Sequence, residues 1–186
     1  MGKAKFGLEG FQYAQVVDDT TTGTPKAIPG LSTAKMDITN EIQTIMADDG
    51  PYMTVSGGIT ELKLEIEMYD IPSTDRQELL GVKYEGGIEK YSKNITPPDV
   101  ACVFRSPMED GKFIWFGLLK GKFGLPGADL KTKSDKMDAA TDSITGQFVA
   151  RGTDEDMLYI GREDNEEFEK DAFLEMVFNG TVVPTP

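Results

Sequence analysis

Between Thr60 and Met68 the chain alternates, with Leu62, Leu64, Ile66 and Met68 on one side and Glu61, Lys63, Glu65 and Glu67 on the other. A period of two belongs to a strand with one face in a core and the other in water. The same period, bounded by clusters of Gly, Pro, Asp and Asn, predicts strands over residues 11–17, 31–38, 100–105, 112–123, 143–151 and 157–160. Many strands with few helices between them predict a mainly β fold, an antiparallel β-sandwich or barrel. One short flanking helix is predicted over 74–80. Ser73 and Thr74 offer caps, Gln77 stands three residues past Thr74, and Gly81 is placed to stop it. Near the C-terminus Asp164 and Glu167 have capping-box spacing before Phe168, Ala172 and Met176, with Gly180 as a stop, although 172–178 also fits a strand. The expected core includes Leu62, Leu64, Ile66, Phe104, Trp115 and Phe148, with Leu79 and Leu80 seating the short helix.

Two stretches break the simple alternation. In 112–123, Phe113, Trp115 and Leu119 lie on one side while Ile114, Phe116 and Leu118 lie on the other. A strand apolar on both faces needs cover on both. It is either a central strand between a sheet and a helix, or one that a neighbouring subunit helps to cover. The second stretch is 39–58, an unusually long connection for a compact domain. Its apolar residues Ile42, Ile45, Met46, Tyr52, Met53 and Val55 argue against simple disorder, and it reads as a projecting hairpin with Asp49, Gly50 and Pro51 at its tip. The organisation expected is one domain over 1–180 carrying the projecting loop 39–58, then a flexible tail over 181–186 with two prolines.

Charge and composition narrow the function classes. The 186 residues carry 32 acids against 19 bases, a net charge of −13 and a pI near 4.4. Binding along nucleic-acid phosphates needs clustered Lys and Arg, so that class is disfavoured; an acidic wall near DNA would repel it instead. There is no histidine, which removes the commonest general base and metal ligand. The single cysteine, Cys102, precludes an internal disulfide and reads as a buried structural thiol. No apolar run approaches the roughly 20 residues that cross a bilayer, and the first ten residues do not read as a secretory signal. Asn94-Ile95-Thr96 therefore matches a glycosylation acceptor only by chance.

Candidate chemistry fails motif by motif. Gly117–Phe123 has three residues between its glycines where a phosphate loop has four, and Phe123 stands where the metal-binding hydroxyl belongs. Gly121, Gly124 and Gly127 do not make a dinucleotide fingerprint. The acids Asp154, Glu155, Asp156, Glu163 and Asp164 do not fit a calcium loop. No catalytic residue, cofactor or metal is expected.

The order of elements is more informative than any motif. Gly7-Leu8-Glu9-Gly10-Phe11-Gln12-Tyr13-Ala14 precedes Gly23-Thr24-Pro25-Lys26, and the projecting segment holds Met46-Ala47-Asp48-Asp49-Gly50-Pro51. Then come the alternating strand with its Tyr69-Asp70-Ile71-Pro72 exit and a short helix ending Glu78-Leu79-Leu80-Gly81. Val103-Phe104-Arg105-Ser106 and Leu119-Lys120-Gly121-Lys122-Phe123 follow. Over roughly 7–180 the sequence resembles the major tail protein, or tail-tube, family of long non-contractile-tailed bacteriophages. The resemblance implies stacked hexameric rings around a DNA-conducting channel, with no catalytic residues. It also implies residence in the virion tail after assembly in the host cytoplasm. The partners implied are further copies and the tail terminator, tape-measure and baseplate or distal tail proteins; DNA passes without specific binding, and no membrane is involved.

On that footing the expected subunit interface is Ile42, Ile45, Met46, Asp48, Asp49, Tyr52, Met53 and Val55, and the expected channel lining is Glu61, Lys63, Glu65 and Glu67. Inner tubes of contractile tails and phage-like bacteriocins share the implied fold. From other classes, a monomeric β-sandwich binding module and an enzyme remain as competing readings.

Overall fold

A computed structural model describes residues 3–47, 49–127, 140–152 and 155–178. The chain runs through β1 (Glu9–Asp18), β2 (Thr21–Thr22), β3 (Lys26–Ala27), β4 (Leu31–Ala47), β5 (Gly50–Met68), α1 (Ser73–Leu80), β6 (Lys83–Glu85) and β7 (Ile88–Lys90). It continues through β8 (Val100–Pro107), β9 (Phe113–Phe123), β10 (Asp142–Phe148), β11 (Leu158–Arg162) and α2 (Lys170–Val177). Nine strands form one antiparallel sheet in the order β2-β1-β8-β9-β10-β5-β4, with β3 beside β1 and β11 beside β9. β6 and β7 make a separate hairpin across Gly86 and Gly87, whose positive φ values (60° and 79°) suit a tight two-residue turn.

Each face of the sheet has its own core. On the first face, Leu62, Leu64, Ile66 and Met68 of β5 pack with Ile144 and Phe148 of β10, Leu118 and Phe123 of β9, and Cys102 and Phe104 of β8; Leu79 and Leu80 of α1 close over them. The second face, formed by Ala14, Ala101, Val103, Trp115 and Leu119, is covered by Phe173, Leu174, Val177 and Phe178. The doubly apolar β9 is therefore covered on both sides within one chain, and α2 is the second cover. Gly117 permits the close approach, since a Cβ there would stand 2.4 Å from Val177 Cγ2. All six expected core residues, and both leucines of α1, are buried.

The mainly β antiparallel architecture with a short flanking helix matches the alternation, and 172–177 is helix, with Phe178 as its C-cap. Both N-terminal caps differ from expectation. Pro72 precedes α1 and no side chain caps it, because Ser73 Oγ donates instead to Glu89 on the β6–β7 hairpin. The stop is as expected: Gly81 is left-handed (φ 71°) and its N–H bonds to Gln77 O. α2 starts at Lys170, after Asp164 and Glu167, since Asp164 is held by Arg162 through a double hydrogen bond. The helix is then phased so that Phe173, Leu174 and Val177 face inward, while Ala172 and Met176 are exposed. β10 ends at Phe148, and Arg151 leaves the strand to serve α2. Asp48, Asp154, the stop at Gly180 and the tail 181–186 lie outside the described residues.

Candidate assembly and channel surfaces

β4 and β5 are 17 and 19 residues long, and only their inner halves belong to the wide sheet. β10 pairs β5 from Asp142↔Met68 to Phe148↔Leu62 and stops there. Beyond that point β4 and β5 continue as a two-stranded ribbon, closing at Ala47↔Gly50. The alternating Thr, Ile, Val and Met residues explain why 39–47 and 50–58 are strand and not loop. Asp49 takes the left-handed turn conformation (φ 63°), which aspartate tolerates, and Pro51 already pairs with Met46 inside the ribbon.

Register sorts the ribbon's side chains into two faces. Ile45↔Met53 and Gln43↔Val55 share one; Ile42↔Ser56, Thr44↔Thr54 and Met46↔Pro51 share the other, together with Tyr52. Large apolar groups occupy both faces. Every described residue from 39 to 60 is exposed except half-buried Gly50, with Tyr52 at 73%, Met46 at 64% and Ile42 at 62%. An isolated two-stranded ribbon is marginal in water, and apolar side chains exposed on both of its faces make it a candidate interaction surface.

Glu61, Lys63, Glu65 and Glu67 stand on the side of β5 opposite the buried Leu62, Leu64, Ile66 and Met68. The sheet surrounds them with other polar groups. From β4, Lys35 is opposite Glu65, Asp37 opposite Lys63, and Thr39 opposite Glu61. From β10, Ser143, Thr145 and Gln147 face Glu67, Glu65 and Lys63, and Gln147 Nε2 donates to Glu61 (3.3 Å). Lys122 of β9 is opposite Gln147 and lies 3.6 Å from Asp99. The hydrogen bond to Asp37 holds the Lys35 amine above its ordinary value, with Glu65 adding to the effect. Along the single strand acids outnumber bases three to one. Across the face, Asp37, Glu61, Glu65 and Glu67 stand against Lys35, Lys63 and Lys122, so the surface is only mildly acidic.

The sequence reading missed one further surface. An apolar groove opens where the β4 edge faces the β8–β9 pair, lined by Leu8, Ala34, Met36, Phe104 and Phe116, with Lys5 at its mouth 5.4 Å from the Phe116 ring centre. Its only sequence signal was the apolar character of both sides of 112–123. Cys102, by contrast, is fully buried, and burial pushes its thiol well above the ordinary value, so it is unreactive. Among the described residues no group of three or more acidic or cysteine side chains is arranged to hold a metal, and no helix is long and apolar enough to cross a membrane.

A family model described as phage tail tube protein matches residues 20–186. The chain belongs to the phage tail tube family. Members of this family are structural proteins, and this chain is a tail tube structural subunit. No curated protein matches in sequence. Among solved structures, the fold is similar to that of the anti-feeding prophage cap, the tube-terminating cap, with a TM-score of 0.52 and 10% identity over 81% of this chain and 87% of that one. A chain of the sheath–tube complex of an extracellular contractile injection system, in its extended state, aligns with a TM-score of 0.44 and 12% identity over 82% and 88%.

Proposed function

We propose that this tail tube protein assembles with copies of itself into stacked hexameric rings around a channel for DNA, and performs no catalysis. The observation that carries the reading is the β4–β5 ribbon, which bears large apolar side chains on two exposed faces. Repeated contacts of one kind, made by the ribbon of each copy on the next, are heterologous; they close into rings or extend into tubes. Ile42, Ile45, Met46, Tyr52, Met53 and Val55 are the residues that such contacts bury, together with Asp49 at the turn and its sequence neighbour Asp48. Glu61, Lys63, Glu65 and Glu67 line the channel, where a mildly acidic wall offers passing phosphates no counterion-release gain. Its further partners in the virion are the tail terminator, tape-measure and baseplate or distal tail proteins. Deleting residues 45–55 tests the role of the ribbon. The shortened protein should remain a folded monomer that forms no tubes by electron microscopy, and normal tubes from it would refute that role. A second reading, the inner tube of a contractile particle or bacteriocin, has the fold similarity to the tube-terminating cap in its favour. A sheath gene beside this one would select it.

A further inference from the structure

The ribbon needs a receptor, and its chemistry restricts the choice. From 39 to 58 the sequence carries Glu41, Asp48 and Asp49 and no Lys or Arg. In a chain of net charge −13 most surfaces repel such a segment. Three open depressions compare directly. The one between β11 and α2 is apolar, through Leu158, Ile160, Phe168 and Met176, but Glu167 and Glu169 line it. The one around Lys63 and Lys122 has the right charge, but Thr145 and Gln147 make it polar, and it lies on the face assigned above to the channel. The groove between β4 and β8–β9 has a volume of about 420 Å³; Leu8, Ala34, Met36, Phe104 and Phe116 outweigh Ser32, Thr33 and Ser106 in its lining, and Lys5 is its only charged lining residue. Lys5 is exposed, and among the described residues it pairs with no carboxylate.

We infer that this groove receives the acidic, apolar β4–β5 ribbon of a second copy of the chain, with Lys5 facing Glu41 or the acidic turn. The inference rests on the reading of the ribbon as an assembly element, and adds where it lands. Burying Ile42, Met46 or Tyr52 against Leu8, Met36 and Phe116 removes apolar surface from both partners at once. The adjoining lysine steers the ribbon and sets its register.

The test uses the silence of Cys102. Ser32, an exposed residue lining the groove, is changed to Cys in one preparation (Ser32→Cys), and Met46 on the ribbon in another (Met46→Cys). The two are co-assembled in equal amounts and oxidised gently. A disulfide-linked heterodimer of the two variants is expected, with neither variant linking to itself. In parallel, Lys5→Glu should raise the critical concentration for assembly about fivefold, the scale of a lost surface ion pair. Glu41→Lys or an Asp49→Lys change in the same chain should restore it. Absence of the mixed dimer, a Lys5→Glu protein that assembles like the parent, or a link formed within one chain when Ser32→Cys and Met46→Cys are combined in it overturns the assignment. The 45–55 deletion separates the two levels. If it abolishes assembly while the mixed dimer is missing, the ribbon reading stands and the groove is wrong; if it leaves tubes intact, both fall.

Discussion

Arg151 is 4% exposed, and its Nη1 donates to the carbonyls of Met176 (3.1 Å) and Val177 (3.4 Å). α2 has no basic residue in its last turn, so this guanidinium from another segment satisfies the C-terminal end of the helix. Arg151→Met strips those carbonyls of a charged donor and should cost about 2–4 kcal/mol, read as a lower urea midpoint at unchanged slope. Gly117 acts on the same helix from beneath. Gly117→Ala would press a methyl onto Val177 and Phe173, lift α2, and cost about 1–3 kcal/mol. Near-ultraviolet circular dichroism of Trp115, whose ring lies 6.4 Å from Phe173, should change with it. Glu89 is one of the acid-sensitive carboxyls, along with Asp110 and Asp164. Its carboxyl is held below the ordinary value of 4.5, first by the Ser73 hydrogen bond, then by Tyr91 and the charge of Arg76. A carboxyl whose value falls on folding adds stability above 4.5 and loses it as pH drops through the lower folded value. Glu89→Gln should therefore be less stable than the parent at neutral pH, and the gap should close in acid.

At the scale of elements, the ribbon carries a sharper prediction than its deletion. Apolar groups on both faces imply cover on both, so Ile45→Thr with Met53→Thr, and Ile42→Thr with Met46→Thr, should each impair tube growth in light scattering. A pair with no effect would leave its face uncovered in the assembly. Period-two alternation made β5 and its buried leucines legible, and the apolar content of 39–58 marked it as ordered. What alternation could not convey was the surroundings of a strand. Lys35 and Lys122 come to the polar face of β5 only through pairing with β4 and β10, so the charge of the face differs from that of the strand. Capping was misread because Ser73 and Asp164 both found partners outside the helices, Glu89 on the β6–β7 hairpin and the nearby Arg162, that outcompeted the helix ends. The β6–β7 hairpin was legible but overlooked, since Gly86-Gly87 between Tyr84 and Ile88 is a strong turn signal.

For the whole molecule, the polar face carries four acids to three bases, so as the wall of the proposed channel it would neither adsorb DNA nor repel it strongly. Glu61→Lys, Glu65→Lys and Glu67→Lys together reverse its sign while leaving the core side of β5 untouched. Tubes of this triple variant should bind DNA with an affinity that falls steeply with salt, whereas parent tubes should not. Salt-insensitive behaviour, or no binding at all, would place this face away from the channel. All of these surfaces acquire their meaning from self-association by the chain. Negative-stain electron microscopy of the concentrated full-length protein, with sedimentation velocity across a wide concentration range, tests that claim most directly. The account predicts hollow rods or six-fold rings of uniform diameter, in equilibrium with monomer at low concentration; a single monomeric species at every concentration, with no rings or rods on the grid, would contradict it.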